Sequence, residues 1–310
     1  MYTLRKLGLA LEAQHKWPEA EAIHREAWAV SRTKGNEDSE ALTDLERLVH
    51  MLVIEKNFGE AEKLLDEALT PAFIRQPAAA DLLIERIDLL GRQARWLEAA
   101  GDAALALDLH PTDEYRYHTL VGLLVITRNR SAYEQLAKRL YSKFADPSNP
   151  FVAERMAQDG LVYPESGANL DLLDKLADIS LALGSDDKNL PYFQAAKAMS
   201  TYRLGHFAEA IDWGQRATTS SPAEPTRDAI VYGQAKAYAV LAMAHWKLGH
   251  TVTAREMLGK GNLLAPDVVS PRSTPDLGES WVAWIFARIS LNEAAALIQS
   301  DDPTGNRQAK

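Results

Sequence analysis

The phrase KWPEAEAIHREA, residues 16–27, returns as NFGEAEKLLDEA at 57–68, as RWLEAAGDAALA at 95–106 and as HFAEAIDWGQRA at 206–217. A chain that repeats one phrase builds one supersecondary unit several times, and such units bury their apolar faces by stacking on neighbours. Aligned on the aromatic residue, the copies bring Trp17, Phe58, Trp96 and Phe207 into register, with Thr251 in a weaker copy. The steps between them are 41, 38, 111 and 44 residues. The long step equals about three units. It predicts two worn copies, one near Tyr117–Tyr141 with its turn at TRNRS and one near Phe151–Leu183.

Within each copy, apolar and small residues recur at helical spacing on both sides of a polar turn. In the first, Leu7, Gly8 and Leu11 share one face of a helix A. His15 and Lys16 make the turn, and Ala20, His24 and Ala27 share one face of a helix B. In the last clear copy Leu241, Ala242 and His245 take the A places and Gly249 the turn. Ala254, Leu258 and Gly261 take the B places there. Small residues at Gly8, Ala20, Ala27, Ala61, Ala68, Ala99, Ala210, Ala217 and Ala254 are expected where two helix backbones approach closely. The rings Trp17, Phe58, Trp96 and Phe207 are expected to be core between neighbouring hairpins. Pro111, Pro222 and Pro266 stand at one place in the repeat, where a helix must stop.

These patterns predict an all-α solenoid of helical hairpins without a strand, over residues 1–299. Clear repeats are expected at 1–34, 42–75, 80–111, 191–222 and 235–266, with degenerate repeats across 115–183. Stretches 70–79, 145–150, 218–228 and 265–280 break the period with proline and read as loops. A helix over 280–299 is expected to cap the open end of the solenoid. Its rings Trp281, Trp284 and Phe286 would also suit a membrane-surface or partner-binding helix, but its polar side, with Arg288 facing Glu293, is not basic. Residues 300–310 read as a flexible tail.

Composition narrows the function classes. A formal net charge of -9 counts against a specific nucleic-acid binder, which needs a basic surface. The absence of Cys removes disulfides and thiolate chemistry. The first 17 residues lack a signal-peptide core, and no unbroken run of 18 apolar residues exists. A cytoplasmic location is the expectation. The eight histidines form no HExxH pair or metal spacing, GKGN at 259–262 lacks a phosphate loop's remaining pattern, and no GxSxG occurs. No catalytic residue, cofactor or metal is expected.

Leu-Gly, then an aromatic at the turn, then Ala, Ala and Pro in register resembles the tetratricopeptide repeat family over residues 1–266. The first step of 41 residues, with an extended helix B and an acidic Gly-Asn loop in AWAVSRTKGNEDSEALTDLERL, is similar to the repeats of kinesin light chains over residues 1–69. Asp38-Ser39 stands where those repeats usually carry His-Pro. Bacterial proteins with such repeats are found beside bacterial tubulins. The resemblance implies a non-catalytic adapter, joining a tubulin-like filament to a membrane or another protein. The alternative is a peptide-binding module of a signalling system, such as the C-terminal scaffold of a bacterial Ser/Thr kinase. The chain begins inside a helix A, as a trimmed module would.

In this family the concave wall is formed by the outward places of the A helices. Here those are Tyr2, Arg5, Lys6 and Leu9, then Thr43, Glu46, Arg47 and His50, then Asp81, Ile84, Glu85 and Asp88. Only Arg5, Lys6 and Arg47 could serve a chaperone-type carboxylate clamp, and the third copy is acidic, so a chaperone co-factor is not expected. Towards the C-terminus the wall reads Tyr192, Met199, Tyr202 and Arg203, then Lys236, Met243, Trp246 and Lys247. Rings and Met suit an adaptable peptide groove. Arg5, Lys6, Arg47 and His50, with Arg203, Lys236 and Lys247, predict two basic patches on an acidic body. They would take an acidic or apolar-anchored protein segment, such as a tubulin-like tail, or anionic lipid.

Overall fold

Each copy of the phrase closes on itself before it meets the next, so hairpin follows hairpin along the chain. The computed structural model describes residues 2–35, 38–144, 147–164, 167–183, 189–220, 227–267 and 276–300. Pro222 and residues 301–310 lie outside them. The described residues form α-helices, short 3-10 turns and connections, with no strand among them. Contacts group the chain into two compact units, Met1–Arg116 and Tyr117–Lys310.

The first unit holds three hairpins. They are α1 (Tyr2–Glu12) with α2 (Trp17–Ser31), α3 (Ser39–Ile54) with α4 (Phe58–Ala68), and α5 (Ala80–Arg92) with α6 (Trp96–Leu109). The unit boundary falls inside α7 (Glu114–Ile126), which pairs in sequence with α8 (Arg130–Lys143). Next come α9 (Pro150–Leu161) with α10 (Leu170–Ser180), and α11 (Leu190–Arg203) with α12 (Phe207–Thr219). Then follow α13 (Arg227–Lys247) with α14 (Thr251–Leu264), and last a single helix, α15 (Trp281–Ser300). Asp38 explains the Asp-Ser at the acidic loop: its side chain accepts from the N–H groups of Glu40 and Ala41, capping α3. Asn129, Asn149 and Asn169 do the same for α8, α9 and α10.

Small residues mark the places where helices touch. Ala20, Ala27, Ala61, Ala99, Ala210, Ala217 and Ala254 are 0% exposed. Ala68, the last residue of α4, is only half-buried. Gly8 leaves room for His24: a Cβ there would lie 2.5 Å from the imidazole Cε1. The aromatic residues differ from the expected core rings. Trp17, Phe58, Trp96 and Phe207 are half-buried, because each begins a helix B beside a solvent-facing turn. Phe207 leans on Tyr202 with centroids 5.6 Å apart, and the Arg92 guanidinium lies 5.4 Å from the Phe58 ring centre.

The turns themselves are nearly identical. His15, Lys56, Ala94, Arg128, Gly205 and Gly249 all have positive φ, each two residues before the next helix. The N–H of Ala94 bonds the carbonyl of Gly91, and that of Arg95 bonds Leu90. The corresponding pairs recur at His15 and Lys16, Lys56 and Asn57, Arg128 and Asn129, Gly205 and His206, and Gly249 and His250. This is the Schellman arrangement, which satisfies the last carbonyls of helix A and reverses the chain in three or four residues. The left-handed conformation costs a side-chain-bearing residue about 1–2 kcal/mol, which glycine avoids. Ala94→Gly is therefore expected to leave stability unchanged or raise it by up to about 1 kcal/mol, despite glycine's entropy in the unfolded chain. Gly249→Ala is expected to cost about 1 kcal/mol. Urea melts of both variants decide it; a clear loss for Ala94→Gly would refute the turn assignment.

Candidate protein-binding groove

Among the first unit's A helices, none of the twelve outward places is buried. Tyr2 is 71% exposed, Leu9 45% and Ile84 37%, so apolar side chains stand at this wall. Its charges are paired across helices. Arg5 Nε lies 2.6 Å from Asp44 Oδ1, and Arg5 Nη2 donates to the Glu40 carbonyl at 3.1 Å. His50 Nδ1 lies 3.3 Å from Glu85 Oε2, and that bond raises the His50 pKa. The Lys6 ammonium sits 4.4 Å from the Tyr2 ring centre. Arg47 is half-buried and near Glu46. The expected basic patch is therefore a wall of mixed charge. Carboxylates from the following A helix neutralise two of its four cationic candidates.

The second unit is built differently. Its last helix packs on the final hairpin, α13 and α14, as a cap does, and reaches beyond it. Phe286 of α15 stacks on His118 of α7, centroids 4.2 Å apart and planes 3° from parallel. Gly122, one turn on, makes room: a Cβ there would lie 3.0 Å from Phe286 and 3.3 Å from Ile285. Glu293 pairs with Arg203 at the end of α11. Arg288 donates to Asn262 Oδ1 at 2.8 Å and to the Ala265 carbonyl at 2.9 Å, beyond the end of α14. Leu291 fills the space over Gly261. A cavity of about 20 Å³ is left between Gln158, Met199, Lys236, Val240, Phe286 and Ser290. So α15 packs chiefly on α13 and α14 and reaches α11 and α7 as well. It lies along the inner wall of the A helices, in the groove.

That placement settles the C-terminal half of the expected binding wall. Met243 is 0% exposed, Met199 7%, Tyr202 8% and Lys236 7%, all inside the fold. Arg203 is engaged by Glu293 and by the Leu161 carbonyl, 2.9 Å from its Nη2. Tyr192 is half-buried and carries the Lys236 ammonium 4.4 Å from its ring centre. Trp246 is half-buried with the Arg255 guanidinium over it at 5.4 Å, and Lys247 is exposed at the end of α13. The expected second basic patch is absent. Of its cations only Lys247 faces solvent freely, and the others pair with groups inside the unit.

Beneath α15 the groove has a charged floor. Lys236 Nζ donates to Gln158 Oε1 at 2.7 Å and lies 4.0 Å from Glu154 Oε1. His118 Nδ1 is 2.7 Å from Asp159 Oδ1. Tyr133 donates to the Asp159 carbonyl at 2.8 Å. Burial raises the pKa of Glu154 and of Asp159. Burial likewise lowers Lys236 to about 8, against the pull of Glu154. The sequence places Lys236 of this cluster on the wall, in a clear copy, but gives no role to His118, Glu154, Gln158 and Asp159, which lie in the worn copies. Two signals mark them: His118 directly before the apolar run TLVGLLVI, and Glu154, Gln158 and Asp159 at helical spacing. A polar side chain on a face that must pack against neighbours needs a partner there.

A tetratricopeptide repeat protein from Parabacteroides merdae superposes on this chain with a TM-score of 0.57. The identity is 14%, over 94% of this chain and 98% of that one. The fold is that of tetratricopeptide repeat proteins. The APC/C hetero-tetramer of Cut9 and Hcn1 is similar at a TM-score of 0.50 and 13% identity, over 93% of this chain and 51% of the other. PilF of Pseudomonas aeruginosa matches 76% of this chain and 96% of its own at 15% identity, with a TM-score of 0.45. No family model and no curated protein matches the sequence. In this tetratricopeptide fold the repeated phrase builds the array, and the polar floor is particular to the second unit.

Lys236 makes the floor testable. Its proton leaves near pH 8 in the folded protein but near 10.4 in an unfolded chain. Between those values the unfolded state binds more protons, so this group's contribution to stability rises with pH. Lys236→Met removes the effect. Urea unfolding at pH 7.5 and 9.5 is expected to show the wild type gaining roughly 2 kcal/mol on the variant across that interval. Titration of Tyr141 and Tyr202, both raised by burial, is common to the two proteins and cancels in the comparison. A difference that stays flat with pH would contradict the assignment.

Proposed function

We propose that this chain is a non-catalytic scaffold that binds segments of partner proteins on the inner walls of its A helices. The observation that carries this reading is α15. The second unit already holds a largely apolar helix along that wall through side chains of α7, α11 and α13. The same wall in the first unit offers Tyr2, Leu9 and Ile84 to solvent, with charges of both signs between them. An amphipathic segment with apolar side chains at i and i+3 or i+4 is the ligand such a wall takes.

A narrower reading makes the chain an adapter of kinesin-light-chain type, joining a tubulin-like filament to cargo or to an anionic membrane. It is supported by the extended α2 and the acidic loop before α3 alone. The wall does not add to it, since Arg5 and His50 already have carboxylate partners. The signalling-module alternative asks for the same wall and differs only in the partner.

Selection of a helical peptide library on the full chain is expected to enrich sequences with apolar residues at that spacing. Leu9→Glu with Ile84→Glu should weaken these peptides at least tenfold, with an unchanged melting temperature. No enrichment, or affinities indifferent to both substitutions, would remove the first wall as a binding surface. Filaments of bacterial tubulin serve as a second bait. The narrower reading requires them to pellet the wild type and to lose Lys6→Glu/Arg47→Glu.

A further inference from the structure

We infer that α15 is a cis-acting occupant of the second groove, which a partner helix of matching chemistry displaces. The inference rests on the scaffold reading and adds which groove is regulated and what it accepts. Three features of the structure lead to it.

The first is position. A helix that only closes the end of an array needs contact with the last hairpin, α13 and α14. α15 makes that contact and also runs back past α11 to α7, along the wall that the A helices present as a set. The second is attachment. Every other hairpin but one is closed by a Schellman turn of three or four residues, which fixes the angle between its helices. Residues 265–280 join α14 to α15 and contain Pro266, Pro271 and Pro275. Sixteen residues can span up to about 55 Å, where a hairpin turn has three or four. The groove therefore holds α15 through side chains, as it would hold a separate ligand at the high effective concentration a tether provides.

The third is fit. α15 lays Phe286 and Ser290 over a largely apolar floor that includes Leu161, Met199 and Val240, with Lys236, Gln158 and His118 beside them. Among the described residues no hydrogen bond reaches the buried Glu154 Oε1 or Asp159 Oδ2, and the Lys236 ammonium stands 4.0 Å from the former. A buried carboxylate oxygen without a donor is a standing cost.

The contacts of α15 also specify that helix. Phe286, Ser290 and Glu293 lie on one face and meet His118, the cavity and Arg203 in turn. The competing segment is an amphipathic helix of a partner protein with an aromatic residue, a small polar residue one turn on, and a carboxylate two turns on. Arg203 recognises the carboxylate. It is held against α9 by the Leu161 carbonyl whichever helix is present.

Two measurements on the full chain test this. Hydrogen exchange of the wild type is expected to show α15 amides exchanging at least tenfold faster than those of α11 and α13, as a separate cooperative unit. The second uses a fluorescein-labelled peptide of residues 279–300. It is expected to bind Glu293→Gln at least fivefold more tightly than wild type, because the cis helix is weakened while Arg203 stays free for the peptide. Adding Arg203→Ala should abolish the gain. Exchange of α15 in step with α13 would make α15 part of the core and overturn the inference, leaving the first wall's function untouched. Separate opening with equally weak peptide binding by wild type and Glu293→Gln would overturn it too, by showing a helix that lifts from a wall that takes no ligand.

Discussion

Helix backbones that come close enough to exclude all but a methyl group are the constraint on which this structure depends. Where Ala20, Ala61, Ala99, Ala210 and Ala254 sit, no larger side chain fits without moving a helix. Close approach fixes the distance between A and B, and the left-handed turn fixes their angle. Once both are set, a hairpin has one way to stack on the next. The rings at the start of each B helix then fill what remains beside the turn and stay half open to water. They follow from the geometry and do not create it.

The array was readable in the sequence because its cause is local and repeated. Leu-Gly, Ala, Ala and Pro recur where backbones touch and helices stop, and α6 and α14 end two residues before Pro111 and Pro266. The left-handed turn was half legible. Gly249 signals it, but Lys56 and Arg128 adopt the same conformation with no signal in their side chains. The groove was readable only as a set of outward places. Whether those places meet solvent depends on contacts between residues far apart in the chain, such as Arg203 with Glu293, 90 residues on. Periodicity within one helix carries nothing about such pairs. That is why Met199, Tyr202 and Lys236 read as wall residues and stand under another helix.

Charge was misread for a related reason. Counting Lys and Arg along the A helices makes the wall basic. Adding the next helix's Asp44 and Glu85, one repeat away, makes it mixed. In a stacked array the relevant neighbour of a cation is often the residue one period on. Charge has to be summed across copies before it says anything about a partner. The helix α15 shows a second limit of composition. By length and apolarity it would suffice to cross a bilayer, yet 61% of its most apolar stretch is buried inside the second unit. What looks like a preference for lipid is satisfied by α7, α11, α13 and α14.

The position of α15 has a consequence for the order of events during synthesis. The hairpins of the second unit rely on short-range contacts and can form as each leaves the ribosome. Their inner wall is completed by the last helix to be made. At 5–20 residues per second, about ten to thirty seconds separate the emergence of α7 from that of α15. Through that interval Lys236 and Gln158 stand on a wall that α15 has not yet covered. A floor of leucine in the same place would be an adhesive surface on every nascent chain. The polar groups that α15 finally covers make the unfinished wall less apolar than Leu161, Val162, Met199 and Val240 alone would make it.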